Sequence, residues 1–257
     1  MTGDHRRQRS GRAVLLLAKS AFAASPIQEM ERLAARVAAF DGVTETAFAF
    51  TEQGEPSLRE TLEALCAKPF AEILILPLFL PMEPSLLAWL KRSLSRWQLE
   101  AIEPWPQLRM ARQVSESDAF DRLLEALTQS IADQTELVPA ARKAAEGSLV
   151  PPQKRRVLVC QGGPCNAAGA SAIWGHLRNE QKRQNLRTTG DGTMTAKTTC
   201  LGPCNLAPVM QVFPEGTYYG GVTERAVDRI ISEHLLEGRI VADFAYEANG
   251  RKQFLRG

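Results

Sequence analysis

The chain has 257 residues, 44% hydrophobic and 23% charged, with a formal net charge of +2. That length supports two units with separate cores, and the composition is that of an ordinary soluble globular protein. The near-balanced charge argues against a nucleic-acid partner, and no apolar run approaches the length of a membrane span.

Residues 1–11, with Arg6, Arg7 and Arg9, read as a solvated basic tail. The apolar run 13–18 is interrupted by Lys19, which is too soon for a secretory signal, so a short buried strand and a cytoplasmic protein are expected. A helix follows from Ser25-Pro26 to about residue 40, then a strand at 44–50. The next helix, 57–67, opens on Ser57 and Glu60, which have capping-box spacing, and carries Cys66 as a core residue. Residues 72–80 (EILILPLFL) should form a central strand that ends or bends at Pro77. An amphipathic helix at 85–96, a shorter strand at 98–103 and a helix at 117–131 complete the pattern. Repeated β-α units imply an α/β fold: a mostly parallel sheet with helices on both faces. Trp89, Trp97 and Trp105 fit packing between helix and sheet. Residues 12–135 are thus one expected domain, and 136–153, with Pro139, Gly147, Pro151 and Pro152, a semi-rigid linker.

The second expected domain, 154–257, starts with a buried strand, 156–160 (RVLVC), followed by a helix at 166–179. A polar stretch and a turn at 188–192 lead to residues 195–199, and an apolar run lies at 209–213. After a helix at 223–236, residues 239–247 alternate like a strand, and Asn249-Gly250 signals a hairpin with 252–255.

Four of the five cysteines punctuate this half: Cys160 and Cys165 in CQGGPC, Cys200 and Cys204 in CLGPC. Both pairs follow strands, so two loops can bring four thiolates to one metal centre. Gly162, Gly163 and Gly202 permit close backbone approach and amide N–H groups aimed at sulfur. On spacing alone three readings stay open: an iron–sulfur cluster, a zinc site and redox thiols. Zinc ribbons usually use shorter spacers, and structural disulfides need an oxidising compartment. The three histidines, His5, His176 and His234, are not placed as ligands beside the cysteines, which argues against a Rieske centre.

The segments VLVCQGGPCNAAGA and CLGPCNLAPVMQVFPEGTYYGGVTERAVDRIISEHL resemble the thioredoxin-like [2Fe-2S] ferredoxins, including the corresponding domain of a respiratory complex I subunit. The likeness covers about residues 154–240 and includes Cys160, Cys165, Cys200, Leu201, Gly202, Cys204, Ala207-Pro208 and Tyr218-Tyr219. It implies a [2Fe-2S] cluster held by the four cysteines, one-electron transfer to redox partner proteins, and a homodimer.

The first half, through FTEQGEPSLRE at 50–60 and LPLFL at 76–80, resembles the sirohydrochlorin and cobalt (type II) chelatases over about residues 12–134. That family holds its metal with histidines after the first and third strands. Here those places read Ala18-Lys19-Ser20 and PMEPSLL at 81–87. A lysine stays cationic and repels a metal ion that imidazole would bind. Lys19 and Glu83 are weak catalytic candidates, and Glu52 and Glu60 look like routine acidic residues at helix starts. The resemblance therefore implies a degenerate chelatase that keeps a tetrapyrrole cleft or a docking role. Two alternatives are an active chelatase with an accessory cluster and a redox or iron sensor.

Overall fold

The structure is a computed structural model that describes residues 9–21, 24–130, 135 and 147–256. Most of the expected basic tail, His5, the end of the helix at 117–131 and residues 136–146 of the expected linker lie outside the described residues.

The first sheet comprises β1 (Arg12–Ala18), β2 (Glu45–Phe50), β3 (Glu72–Pro77) and β4 (Gln107–Met110), all parallel, in the order β2-β1-β3-β4. Central β1 is buried from Ala13 to Leu17, as a parallel strand covered on both faces must be. Its alternating side chains feed two cores. Val14 and Leu16 pack with Phe50 and with Met30 of α1 (Ala24–Ala38). Ala13, Leu15 and Leu17 face Leu58, Leu62 and Leu65 of α2 (Leu58–Cys66) and Leu86, Leu90 and Trp97 of α3 (Pro84–Glu100). Helices on both faces are thus present. Ser57 caps α2 as expected: its hydroxyl accepts from the Glu60 amide at 3.4 Å and donates to the Glu60 carboxylate at 2.8 Å. Cys66 packs against this core, and burial pushes its thiol up to about 12.

The strand expected at 98–103 is absent. The apolar stripe Leu86, Leu90, Leu94 and Trp97 keeps helical spacing, so α3 runs on to Glu100 and the fourth strand starts only at Gln107. After β4, α4 (Asp118–Gln129) buries no residue, and Leu123, Leu124 and Leu127 remain about half exposed.

The second sheet comprises β5 (Arg155–Cys160), β6 (Thr193–Thr198), β7 (Met210–Phe213), β8 (Thr217–Tyr219) and β9 (Ala245–Tyr246), in the order β6-β5-β7-β8-β9. Only the β5–β6 pair is parallel. Val157, Val159, Met210 and Val212 pack against Ile173 and Leu177 of α6 (Ala170–Arg183). The same core takes Val227 of the helix Glu224–Arg229 and Ile230 and Ile231 of its continuation in wider π turns, Ile230–Leu236.

Two expectations are corrected here. The helix read as 166–179 is two helices, a short α5 (Gly163–Ala167) and α6, separated at Gly169, whose φ of +87° is left-handed. The strand at 239–247 shrinks to Ala245–Tyr246, and residues 252–255 form no hairpin. Phe254 points largely to solvent, so the alternation there has no core to face. The Arg256 guanidinium instead lies 4.7 Å from the centre of the Tyr246 ring, and the Arg256 amide donates to the Tyr246 hydroxyl.

The two sheets are joined by contact as well as by chain. Ala167 packs onto the first core, and the Asn166 side-chain amide donates to the carbonyl of Phe50 at 3.4 Å.

Candidate metal centre

Cys160 is the last residue of β5 and pairs with Thr198 across the parallel ladder. The chain leaving β6 therefore reaches the same edge of the sheet two residues later, at Cys200. Cys165 lies on α5, and Cys204 opens a 3-10 turn, Cys204–Leu206. Cys160 and Cys165 are buried, whereas Cys200 and Cys204 are exposed.

The four sulfurs sense one another. The Cys165 thiol donates to Cys160 and, against the effect of burial, holds Cys160 down to about 6; the amides of Gly162 and Leu201 and the Cys200 side chain assist. Cys165 is pushed up by donating to Cys160 and then by burial. Cys204 is raised by burial first and then by Cys200 and Cys160. Among the described residues no three His, Cys, Asp or Glu side chains are gathered as a site for a single ion.

The three glycines do different things. A methyl group on Gly162 would lie 2.7 Å from the Thr199 carbonyl oxygen and 3.7 Å from the Cys160 sulfur, so the two cysteine loops close only over a glycine. Gly163 faces the ring of Trp89, 3.1 Å from where its Cβ would be. Gly202 has open space around it but a φ of +104°, which turns the loop between Cys200 and Cys204. Amides that favour thiolate come from Gly162, Leu201 and Val209. Leu201 and Val209 were not foreseen as donors, because any residue type supplies a backbone N–H and leaves no side-chain signal. Four cysteines, amides directed at two of them and a glycine-tight loop crossing are a donor set that fits an iron–sulfur cluster.

The thioredoxin-like [2Fe-2S] ferredoxin family model matches residues 146–235. A 2Fe-2S ferredoxin from Clostridium pasteurianum is 36% identical over 95 residues, which make up 34% of this chain and 91% of that protein. This chain belongs to the thioredoxin-like [2Fe-2S] ferredoxins. A provisionally named 2Fe-2S ferredoxin from Priestia megaterium is 38% identical over 85 residues, 33% of this chain, and the match spans 64% of that protein. The chain spans about half the length of further relatives, which include subunits of NADH-quinone oxidoreductases and of an NADP-reducing hydrogenase. The cofactor of this thioredoxin-like ferredoxin is a [2Fe-2S] cluster. Ahead of the ferredoxin region, residues 14–131 match the CbiX family model. A CbiX protein structure from Marinobacter aquaeolei is 20% identical, with a TM-score of 0.39, covering 46% of this chain and 94% of that one.

The CbiX-like sheet of the ferredoxin has its own strand-end cluster. The strand order reverses direction between β1 and β3, the place where open α/β sheets hold ligands. Lys19 follows β1 and Glu83 precedes α3, and their side chains meet there at 2.7 Å. Glu83 is the N-cap of α3 yet makes no capping bond, its carboxylate being turned to Lys19. Glu52, expected at a helix start, lies instead just past β2, and its amide donates to the Lys19 carbonyl at 2.8 Å. Burial raises the Glu52 carboxyl, and Lys19 partly offsets this. The hydrogen bond to Glu83 raises Lys19. The Lys19 ammonium is thus bonded to the Glu83 carboxylate and feels the charge of Glu52 as well. Among the described residues no helix is long and apolar enough to cross a membrane.

Proposed function

We propose that this protein is a cytoplasmic one-electron carrier in which Cys160, Cys165, Cys200 and Cys204 hold the cluster. The observation that carries this reading is the convergence of two cysteine-bearing loops at one end of the second sheet, closed tightly over Gly162. When bound, a [2Fe-2S] cluster supplies reversible one-electron chemistry. The chain's own task is to direct the Gly162, Leu201 and Val209 amides at the buried sulfurs and to exclude water from the Cys160–Cys165 side. The exposed Cys200–Cys204 loop is the approach for redox partner proteins, in line with relatives that are subunits of electron-transferring complexes. Purified protein should be brown, with two irons and two acid-labile sulfides per chain as that cluster type requires. It should give a one-electron paramagnetic signal on anaerobic reduction; stoichiometric zinc without sulfide would overturn the assignment.

We also infer that residues 12–135 do not insert metal. Metal insertion needs a site that holds a divalent cation and a base that takes the pyrrole protons. Here Lys19 already neutralises Glu83. The CbiX resemblance supports a tetrapyrrole as the ligand class for this strand-end site and a link to cobalamin synthesis. Adding cobalt, nickel or iron to sirohydrochlorin with the protein should change the visible spectrum no faster than without it. Saturable acceleration that is lost in Lys19→Ala and Glu83→Ala would restore the chelatase reading. Residues 12–135 and 154–257 are proposed as separate domains joined at 136–153, so limited proteolysis should cut there first. The homodimer remains part of the same proposal and is checked by light scattering.

A further inference from the structure

The centre is lopsided. Cys200 and Cys204 face solvent, whereas Cys160 and Cys165 are buried with Ala170, Leu206, Val209 and Tyr246 of their own unit, and the residues beside Cys165 lean on the other sheet. Gly163, between the buried pair, sits against Trp89 of α3, with a would-be methyl 3.1 Å from the far edge of the indole. Trp89 is itself braced from behind by Trp97, edge to face at 6.5 Å, and Trp97 is fixed in the first core. One residue past Cys165, the buried Asn166 bonds the end of β2 through the Phe50 carbonyl, and Ala167 packs on the same core. Helix α5, only five residues long, is too short to hold its own geometry, and its position depends on what it leans against. Three successive contacts therefore seat the Cys165 helix on the CbiX-like unit.

We propose that Trp89 is a positioning residue of the cluster site and that the helical face carrying it forms the wall behind the short helix that bears Cys165. The inference rests on the reading of the four cysteines as ligands. On this account the first unit, whatever it binds, controls how firmly the second keeps its cluster. Solvent, chelators and electron partners then reach the centre from the Cys200–Cys204 side.

The test uses the full-length holoprotein and follows iron release to a coloured ferrous chelator together with the visible circular dichroism of the cluster. Trp89→Ala should release iron about tenfold faster, the lower end of what loss of an outer-shell support costs. Trp89→Phe, which keeps an aromatic filler, should fall between Trp89→Ala and wild type. Gly163→Ala should also speed release, because its methyl collides with the indole. The double variant should be slower than Gly163→Ala alone, because truncating Trp89 makes room. Met30→Ala is the control: it opens the core on the opposite face of the first sheet, which Trp89 and Ala167 do not join, so it should lower the melting temperature and leave the release rate unchanged. Wild-type release rates in both Trp89 variants, or fully multiplicative effects in the double variant, would overturn the proposal. Wild-type protein devoid of iron and sulfide would instead remove the ligand reading beneath it.

Discussion

The two sheets present their chemistry at the same kind of place, the loops beyond parallel strand ends, with opposite results. At the first, Lys19 and Glu83 satisfy each other in the open, with roughly half of each side chain exposed. At the second, the buried Cys160 and Cys165 sulfurs meet each other and the amides of Gly162, Leu201 and Val209. With Lys19 bonded to Glu83 in the open, only the Glu52 carboxylate is left there to attract a cation. A buried set of thiols with donors aimed at it is unfavourable until a cation is shared among them. The comparison separates a site that has closed its own valence from one that is incomplete alone.

The sharpest way to break this contrast is to remove ligands. Serine at Cys160, Cys165, Cys200 or Cys204 should abolish or grossly alter the cluster's absorbance, while Cys66→Ser leaves it intact, since Cys66 lies in the other core. Loss of the cluster in Cys66→Ser would mean that the wrong set of four has been chosen. Next in size is Gly162→Ala. Its methyl would press within 2.7 Å of the Thr199 carbonyl, so cluster occupancy after reconstitution should fall by about 10-fold or more. Full occupancy would show that the loops can open without cost.

Acid sharpens the comparison by acting on the second unit. His234 is fully buried, shares a hydrogen bond at Nδ1 with the Tyr219 hydroxyl at 2.8 Å and has Glu215 at 3.5 Å on its other nitrogen. Burial depresses its pKa, Arg155 adds to that effect and Glu215 opposes it. With a folded value below the unfolded one near 6.5, the unfolded chain binds the extra proton first. Stability from neutral His234 is therefore complete above about pH 6.5 and is lost as pH falls through the folded value. Thermal melts of His234→Gln should show a flatter pH dependence than wild type between neutral and mildly acidic pH. The smallest effect belongs to the open ion pair. Lys19→Ala should change stability by only about 0–1 kcal/mol, and less in high salt. A larger loss would mean that the pair is not self-contained.

Much of this was legible in the sequence for reasons that can be named. The ligand pairs were visible because cysteine spacing is a side-chain pattern, and the β-α order because Ala13–Leu17 and the α2 stripe have clear periods. The fourth strand was misplaced because QLEAIE alternates well enough for a strand, while Trp97 ties the same residues to a helix through a core that the sequence does not display. Glu52 was discounted for a similar reason. Its place beside Lys19 depends on the ladder joining β1 to β2, which is a long-range fact. Trp89 looked like one of three packing tryptophans, and nothing local to it says that residue 163 lies over its ring.

The borders of both sheets carry a last consequence, for how copies of the chain can meet. Among the described strands, β4 is four residues long and turns Gln107 and Arg109 outward, Arg109 being tied to Glu72 at 2.7 Å. At the other sheet β9 has only two residues, and β6 carries Lys197, held over the Trp174 ring. Short strands and edge cations discourage a neighbouring chain from adding its own strand. Those three borders therefore resist ribbon-like growth, whereas β2, the remaining border of the first sheet, is six residues long and carries a charge only at Glu45.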